Sequence, residues 1–345
     1  MKKYRVAIIG CGNRGRDHAK SYKWLPEAEV VAGCDVASEK SHKFAGEFGI
    51  LPYTDPEKML KEVKPDLVHI TTYPDVRVPL MMLVSDCNVP ACTTEKPVAA
   101  RVADWKQLCA LEARSKTRFA VSHQCRWQKN FVKCHNALES GQLGQVKFLD
   151  MSAGMNISGQ GTHILNYAMA FNNNVPVKSV FGAASGTAEM SAVHPGPDTT
   201  IGYLTFENGV RALWNNGPTA PRCGDPDVFW KHVRVAAYAE LGRVSWEEFN
   251  HWEIVSPKGV ESGDYGGMDT WTENNLKSQA DFHRAMLKWI KDPGKIPGTN
   301  LKQSLHEWKV VLALYASALE RRPVQLDSFN PQDNLFECLE KALKN

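Results

Sequence analysis

Over roughly the first 120 residues, short apolar runs alternate with stretches whose apolar positions recur at helical spacing. The pattern predicts strands at 5–9, 29–34 and 67–71, with extended segments at 91–94 and 118–122. Helices are predicted over 15–24, 38–48, 78–85 and 102–113. Strands and helices that alternate at this spacing build right-handed βαβ units, so the expectation is an α/β domain with a doubly wound parallel sheet.

Past residue 123 the texture changes. A helix is predicted over 131–140, a long strand in "GQVKFLDMSAGM", and a helix over 163–171. Three further segments, "SVFGAASGTA", "DTTIGYLTFENGVRALWNN" and "KHVRVAAYAELGRVSWEEFNHWEIVSP", alternate with period two. Turn residues divide them, notably Glu207-Asn208-Gly209. Residues 213–230 read as a long loop, and 274–290 and 301–321 as helices. The expectation is a second, α+β domain on a mostly antiparallel open sheet, with 1–122 as the nucleotide-binding domain and 123–345 for substrate and oligomerisation. The helix near 301–321 is a candidate to pack back on the first domain.

Composition narrows the class. The chain has 345 residues, 43% hydrophobic and 23% charged, which suits a two-domain globular protein. Lys+Arg 41 against Asp+Glu 38 leaves +3, so no nucleic-acid or membrane-binding surface is expected. No apolar run approaches the ~20 residues of a membrane helix. "MKKYRVAIIGCG" has a basic start, but its apolar run ends in glycines rather than a cleavage site, so a cytoplasmic protein is expected. The nine cysteines show no C-x-x-C pair, so no metal site is expected and the thiols read as reduced. Asn156-Ile157-Ser158 matches a glycosylation acceptor, discounted without an export signal.

The glycines at the first turn carry the first chemistry. Gly10-Cys11-Gly12-Asn13-Arg14-Gly15 fits G-x-G-x-x-G between a strand and a helix. The first glycine makes the turn, the second admits a pyrophosphate, and the third lets helix and strand pack closely. The helix N-terminus offers N–H groups and partial positive charge. Asp35 follows, twenty residues past Gly15 at the end of the second strand, where its carboxylate can accept from a ribose diol. That acid repels a 2′-phosphate, and Val36 and Ala37 supply no cation to attract one. NAD is therefore expected over NADP.

A second stretch, "TTEKPVAA", follows the extended segment at 91–94, and "TTYPD" follows the third strand. With "SHQCRW", "LESGQLGQVKFLDM", "GTHILN" and the terminal "LERRPVQL", this order resembles the glucose–fructose oxidoreductase/inositol dehydrogenase (Gfo/Idh/MocA) family over nearly the whole chain. The resemblance implies an NAD-dependent oxidoreductase acting on a CH–OH group of a sugar, polyol or sugar derivative. It implies that Lys96 lies beside the nicotinamide and the reacting carbinol, where an ammonium stabilises developing oxygen charge and relays a proton. Glu95 matches a cofactor contact, Thr71, Tyr73 and Pro74 the segment along the nicotinamide ribose, and Arg126 and Trp127 a stretch reaching over the cofactor. It further implies a homodimer or homotetramer through the second domain's sheet, whose far face would otherwise be a large apolar patch.

His163 matches the histidine of the family's D-x-G-x-H-x-x-D stretch and is expected as general base. The sequence departs from that stretch twice, with Gly159 and Asn166 at the two acid positions. Without a neighbouring carboxylate the imidazolium is less stabilised and the tautomer less fixed, so either another acid replaces them or the chemistry differs. Asp225 and Asp264 are candidate replacements. Asn156, Gln160 and Asn166 offer neutral hydrogen bonds near His163, and with Lys96 and Arg126 are the expected substrate contacts. Arg222 is a further candidate, and one or two of the ten tryptophans could stack on a sugar. Two alternatives stay open: a glycosidase of the same family using transient oxidation and elimination, and a catalytically inactive NAD-binding sensor or partner subunit.

Overall fold

The structure is a computed structural model that describes residues 3–223 and 228–344, the side chains of Met268 and Asp269 apart. Two compact units divide the chain. The first comprises 1–99, 106–127 and 273–304; the second comprises 100–105, 128–272 and 305–345.

The first unit holds a six-stranded sheet of β1 (Tyr4–Ile9), β2 (Ala28–Cys34), β3 (Leu51–Tyr53), β4 (Leu67–Ile70), β5 (Ala91–Thr94) and β6 (Arg118–Val121). All neighbours are parallel, in the order β3-β2-β1-β4-β5-β6. That is a doubly wound sheet whose strand order reverses beside β1, where ligands of such sheets bind. The strands are linked by α1 (Asn13–Ser21), α2 (Ser38–Phe48), α3 (Pro56–Val63), α4 (Arg77–Asp86) and α5 (Val102–Arg114). Local chemistry sets the boundaries. Asp55 caps α3 by accepting from Glu57 N and Lys58 N, with Pro56 opening the helix, and Gly49 ends α2 in the left-handed region. β4 and β5 are buried at every position, as strands covered on both faces must be. The segment 273–304 adds Phe282, Met286 and Leu287 to a core cluster that includes Val6, Leu25 and Leu67.

The second unit carries α6 (Lys129–Glu139), β7 (Val146–Ala153) and α7 (Thr162–Phe171), then β8 (Val177–Ser185), β9 (Thr199–Phe206) and β10 (Arg211–Asn216). After these come β11 (Val233–Ala239), β12 (Arg243–Glu247), β13 (His251–Ser256) and β14 (Gly259–Asp264). The chain then runs through α8 (Met268–Lys291), which crosses into the first unit, and α9 (Leu301–Glu320), which returns to the second. It ends with β15 (Val324–Gln325) and α10 (Leu335–Lys344). The nine-stranded sheet has the order β14-β13-β12-β11-β7-β10-β9-β8-β15. Only the central β7/β10 pair is parallel. Glu207-Asn208-Gly209 turns β9 into β10, with Gly209 at φ 85.

Period-two alternation decides the faces. One face buries Trp214, Phe206 and Trp246 with Tyr167 of α7, Phe131 of α6 and Trp308 of α9. The other leaves Phe181, Ile201, Tyr203, Leu213 and Tyr238 between 38% and 49% exposed. Phe181, Tyr203 and Leu213 sit directly opposite one another across β8, β9 and β10.

Candidate functional site

β1 stops at Gly10, whose φ of 103 is a conformation that favours glycine. Its N–H donates to Cys34 O at 2.8 Å, tying the turn to the end of β2. A Cβ on Gly15 would stand 2.2 Å from Gly10 O, so only glycine lets α1 descend so close to the strand. Around Gly12 the space is open for 4 Å, and no side chain caps the N-terminus of α1. This cradle fits a pyrophosphate: room where a side chain would stand, and helix N–H groups facing it. Asp35 completes it. Its Oδ2 accepts from Cys11 N–H and its Oδ1 from Ala37 N–H, both at 3.0 Å. A carboxylate so fixed keeps lone pairs for a ribose diol.

The loops after β4 and β5 close around the same strand end. Thr71 donates through Oγ1 to Gly10 O at 2.7 Å, Tyr73 is 70% exposed, and Pro74 opens a short 3-10 turn. Glu95 is buried and accepts from Arg14 Nη2 at 3.0 Å and His18 Nε2 at 2.9 Å. Burial alone would raise the Glu95 carboxyl, but Arg14 and His18 hold it well below the usual range. Arg14 thus faces inward, onto Glu95, Asp17 and Gln279.

Lys96 is half-buried between Glu95 and Pro97, and Arg77 fastens the backbone on both sides of it. Arg77 is 3% exposed and donates to Glu95 O at 2.8 Å and Pro97 O at 2.7 Å. Its other donors reach Thr72 O at 3.0 and 2.8 Å, joining the two loops. Burial pushes this guanidinium down to about 10. Arg126 donates to Gly298 O at 2.9 Å, and Trp127 packs against Phe282.

Beneath Glu95 lies a histidine stack. His18, His69 and His283 are at most 1% exposed, and their nearest ligand atoms fall within 4.8 Å of one another. The rings of His69 and His283 are stacked, with centroids 4.1 Å apart and planes 27° apart. In-plane lone pairs of parallel rings do not converge on one ion. Every ring nitrogen is also engaged. His18 meets Glu95 and His283, His69 meets Tyr22 and Thr93, and His283 meets Ser21 and Gln279. Burial drives all three below the ordinary histidine range, so they are neutral, and His18 donates to Glu95 as an uncharged imidazole. The stack suits hydrogen bonding better than metal ligation.

In the second unit, Asn156 opens a single π-type turn, Ile157–Gly161, by accepting from Gly159 N at 2.7 Å, and donates to His194 O. Gln160 donates to Trp230 O and accepts from Met155 N. His163 is the one half-buried residue of α7, all of whose other positions are buried. Its Nδ1 lies 3.2 Å from Tyr167 Oη, and the two rings stack. Asn166 is completely buried and donates to Glu307 of α9 at 2.6 Å, so its amide bonds within the unit core. Asp264 pairs with His251 at an exposed strand edge; Asp225 lies outside the described residues. Arg222 is exposed.

The sequence patterns passed over His18, His69, Arg77, Gln279 and His283. A signal was present: His69 interrupts an apolar strand, and Gln279 and His283 share a helix face at i,i+4.

Residues 4–123 match the model of an oxidoreductase family described as having an NAD-binding Rossmann fold, Gfo/Idh/MocA. The match takes in the first sheet of the chain and the loops that follow its strands. Among similar proteins is the D-apiose dehydrogenase of Paraburkholderia graminis, 28% identical, covering 96% of this chain and 92% of that one. The myo-inositol 2-dehydrogenase of Thermotoga maritima is 21% identical, covering 94% of this chain and 98% of that one. A crystal structure of an oxidoreductase from Agrobacterium radiobacter, in complex with NAD+, L-tartaric acid and magnesium, superimposes with TM-score 0.80 at 19% identity, over 95% and 99% of the two chains. An inositol dehydrogenase homologue from Azotobacter vinelandii, complexed with NADH and myo-inositol, gives TM-score 0.76 at 14% identity, over 94% and 98%. The NAD-binding match and the dehydrogenase relatives together support an NAD-dependent oxidoreductase, and the glycine turn with Asp35 is the part of the chain suited to that cofactor.

Proposed function

We propose that this enzyme oxidises a CH–OH group of a neutral sugar, polyol or sugar derivative. The observation that carries the reading is the clamped turn around Lys96: Arg77 holds the carbonyls on either side of it, and Glu95 is locked to the helix of the nucleotide cradle. An ammonium carried on so fixed a backbone lowers the cost of the alkoxide that forms as the carbinol C–H bond breaks. NAD supplies the hydride acceptor. His163, half-buried on α7 with its ring oriented by Tyr167, takes the hydroxyl proton. Gly159 and Asn166 stand at the two acid positions of the motif, so any carboxylate behind that imidazole comes from elsewhere in the chain. Asn156 and Gln160, expected as substrate contacts, instead spend their amides on Gly159 N, His194 O, Met155 N and Trp230 O, so they shape the turn that leads into α7.

The neutral residues at 159 and 166 also favour a second reading, transient oxidation followed by elimination of an aglycone. One screen separates the two. Sugars, polyols and glycosides are offered with NAD, and NADH absorbance and aglycone release are followed together. Net NADH supports the dehydrogenase; aglycone release without net NADH supports the glycosidase. Tight NADH binding with neither would leave a sensor.

The exposed row Phe181–Tyr203–Leu213 further supports a homo-oligomer through the open sheet face, because such a continuous apolar strip is costly in water. Sedimentation of wild type against Tyr203→Glu tests it: a shift toward monomer is expected.

A further inference from the structure

The second unit contains a cavity of about 560 Å³ at the end of its sheet, where β7 and β10 stop and β9 and β11 begin. Its lining is mostly apolar, from Met155, Ala192, Val193, Pro218, Ala220 and Phe229. Asn156, which opens the turn leading into α7, forms part of the wall. The cavity therefore adjoins the turn that leads into His163.

The walls are fastened by backbone and buried side chains. A Cβ on Gly154 would strike Phe229 O at 2.1 Å, and Gly154 N–H donates to His232 O at 2.7 Å. Asn156 Nδ2 donates to His194 O and Ser158 Oγ to Pro195 O, which pins the opposite wall. Such a cavity exists before any ligand arrives.

One buried group in the lining has no partner. His232 is 1% exposed, and Cys223 N–H donates to its Nδ1 at 2.9 Å. The neutral ring must then carry its proton on Nε2, and among the described residues that buried donor has no hydrogen-bond acceptor. An unsatisfied buried donor is unfavourable, and an acceptor oxygen in the cavity would relieve it. Two carboxylates, Glu189 and Asp198, against one cation, Arg222, leave the charged part of the lining net negative, which disfavours an anionic occupant.

We propose that this cavity binds the aromatic aglycone of a glycoside, with His232 Nε2–H donating to an acceptor oxygen on that aglycone. The proposal rests on the reading of the enzyme as a sugar oxidoreductase and specifies its substrate class: a neutral glycoside with a large apolar substituent. An apolar ring buried in such a wall adds affinity in proportion to the area covered, and a modest part of one ring face is enough for tenfold.

The test uses the full chain with NADH bound and matched methyl and 4-nitrophenyl glycosides of glucose, galactose and xylose. Affinity is measured by calorimetry, and NADH formation separately with NAD. For the sugar that binds, the 4-nitrophenyl glycoside is expected to bind at least tenfold more tightly than the methyl glycoside. Ala192→Trp, which fills the cavity, should erase that preference and leave methyl-glycoside affinity within twofold. Val193→Trp, at an exposed wall position, is the alternative should the first variant misfold. His232→Phe should lower affinity for the 4-nitrophenyl glycoside several-fold more than for the methyl one. Equal affinities in wild type, no binding of any 4-nitrophenyl glycoside, or a preference that survives the filled cavity overturns the assignment. A cavity-dependent preference without NADH or aglycone release supports the assignment and removes the oxidoreductase reading; NADH formation with equal affinities does the reverse.

Discussion

Mild acid should destabilise the first unit steeply, because its histidine stack is buried uncharged. Burial lowers the proton affinity of His69 and His283 well below the ordinary histidine value of 6.5, and lowers that of His18 despite its contact with Glu95. The sign follows from linkage. Above the unfolded value both states are neutral and nothing changes; below it the unfolded chain binds protons that the folded one does not, so stability falls as pH falls. Each histidine that stays neutral when folded costs about 1.4 kcal/mol between about pH 7.5 and about pH 5.5, so His69 and His283, the two lowered furthest, cost about 2.7 kcal/mol together, and His18 adds a part of the same sign. Glu95 adds little in that window, since its depressed carboxyl matters only below the ordinary carboxylate range. His306, also lowered by burial, adds a fourth contribution of the same sign in the second unit. The assay is equilibrium urea unfolding at the two pH values. His69→Asn serves as control: whatever it does to absolute stability, it should cut the pH-dependent loss by about 1.4 kcal/mol. A loss below about 1.5 kcal/mol in wild type would mean that at most one of the three is buried neutral, and the reasoning would be refuted.

Three further outcomes follow from the cradle and the clamp. Gly15→Ala forces a Cβ to within 2.2 Å of Gly10 O, so NADH affinity measured by fluorescence should drop at least about tenfold, with overpacking costing about 1–3 kcal/mol. Asp35→Ser removes the acceptor for Cys11 N–H and Ala37 N–H along with the negative charge, so the ratio of NAD to NADP affinity should fall by about tenfold or more, about 1.4 kcal/mol. Arg77→Lys keeps a charge but cannot span Thr72 O, Glu95 O and Pro97 O together; kcat should fall and its pH profile shift, with NADH affinity within a few-fold of wild type.

Much of the fold was legible because it is written in local periodicity. The apolar runs marked β1, β2, β4, β5 and β6, and the helix expected over 163–171 is α7, Thr162–Phe171. The two-sheet architecture follows from the switch between βαβ spacing and period two. β3 and β14 escaped, since "LPY" contains a proline and "GVESGD" is exposed at nearly every position, leaving no alternation to read. Within the cradle, Asp35 was visible as an acid at a fixed spacing from glycines. The supports were not. Arg77 looks like an ordinary charged residue in a helix, and only the fold shows it buried against three backbone carbonyls. His283 lies 265 residues from His18, a pairing no local pattern encodes. Asn166 read as a substrate contact from its motif position, whereas its amide is taken up by Glu307, 141 residues away.

The most direct measurement is the single-turnover rate of NAD reduction, with a sugar or polyol that the wild type oxidises, in Lys96→Met and His163→Ala. Removing a preorganised charge from a developing oxyanion should slow Lys96→Met by about 10²–10³-fold with NADH affinity retained, and His163→Ala should flatten the acid limb of the pH profile. Hydride transfer at the wild-type rate in Lys96→Met would contradict the catalytic role of the clamped ammonium.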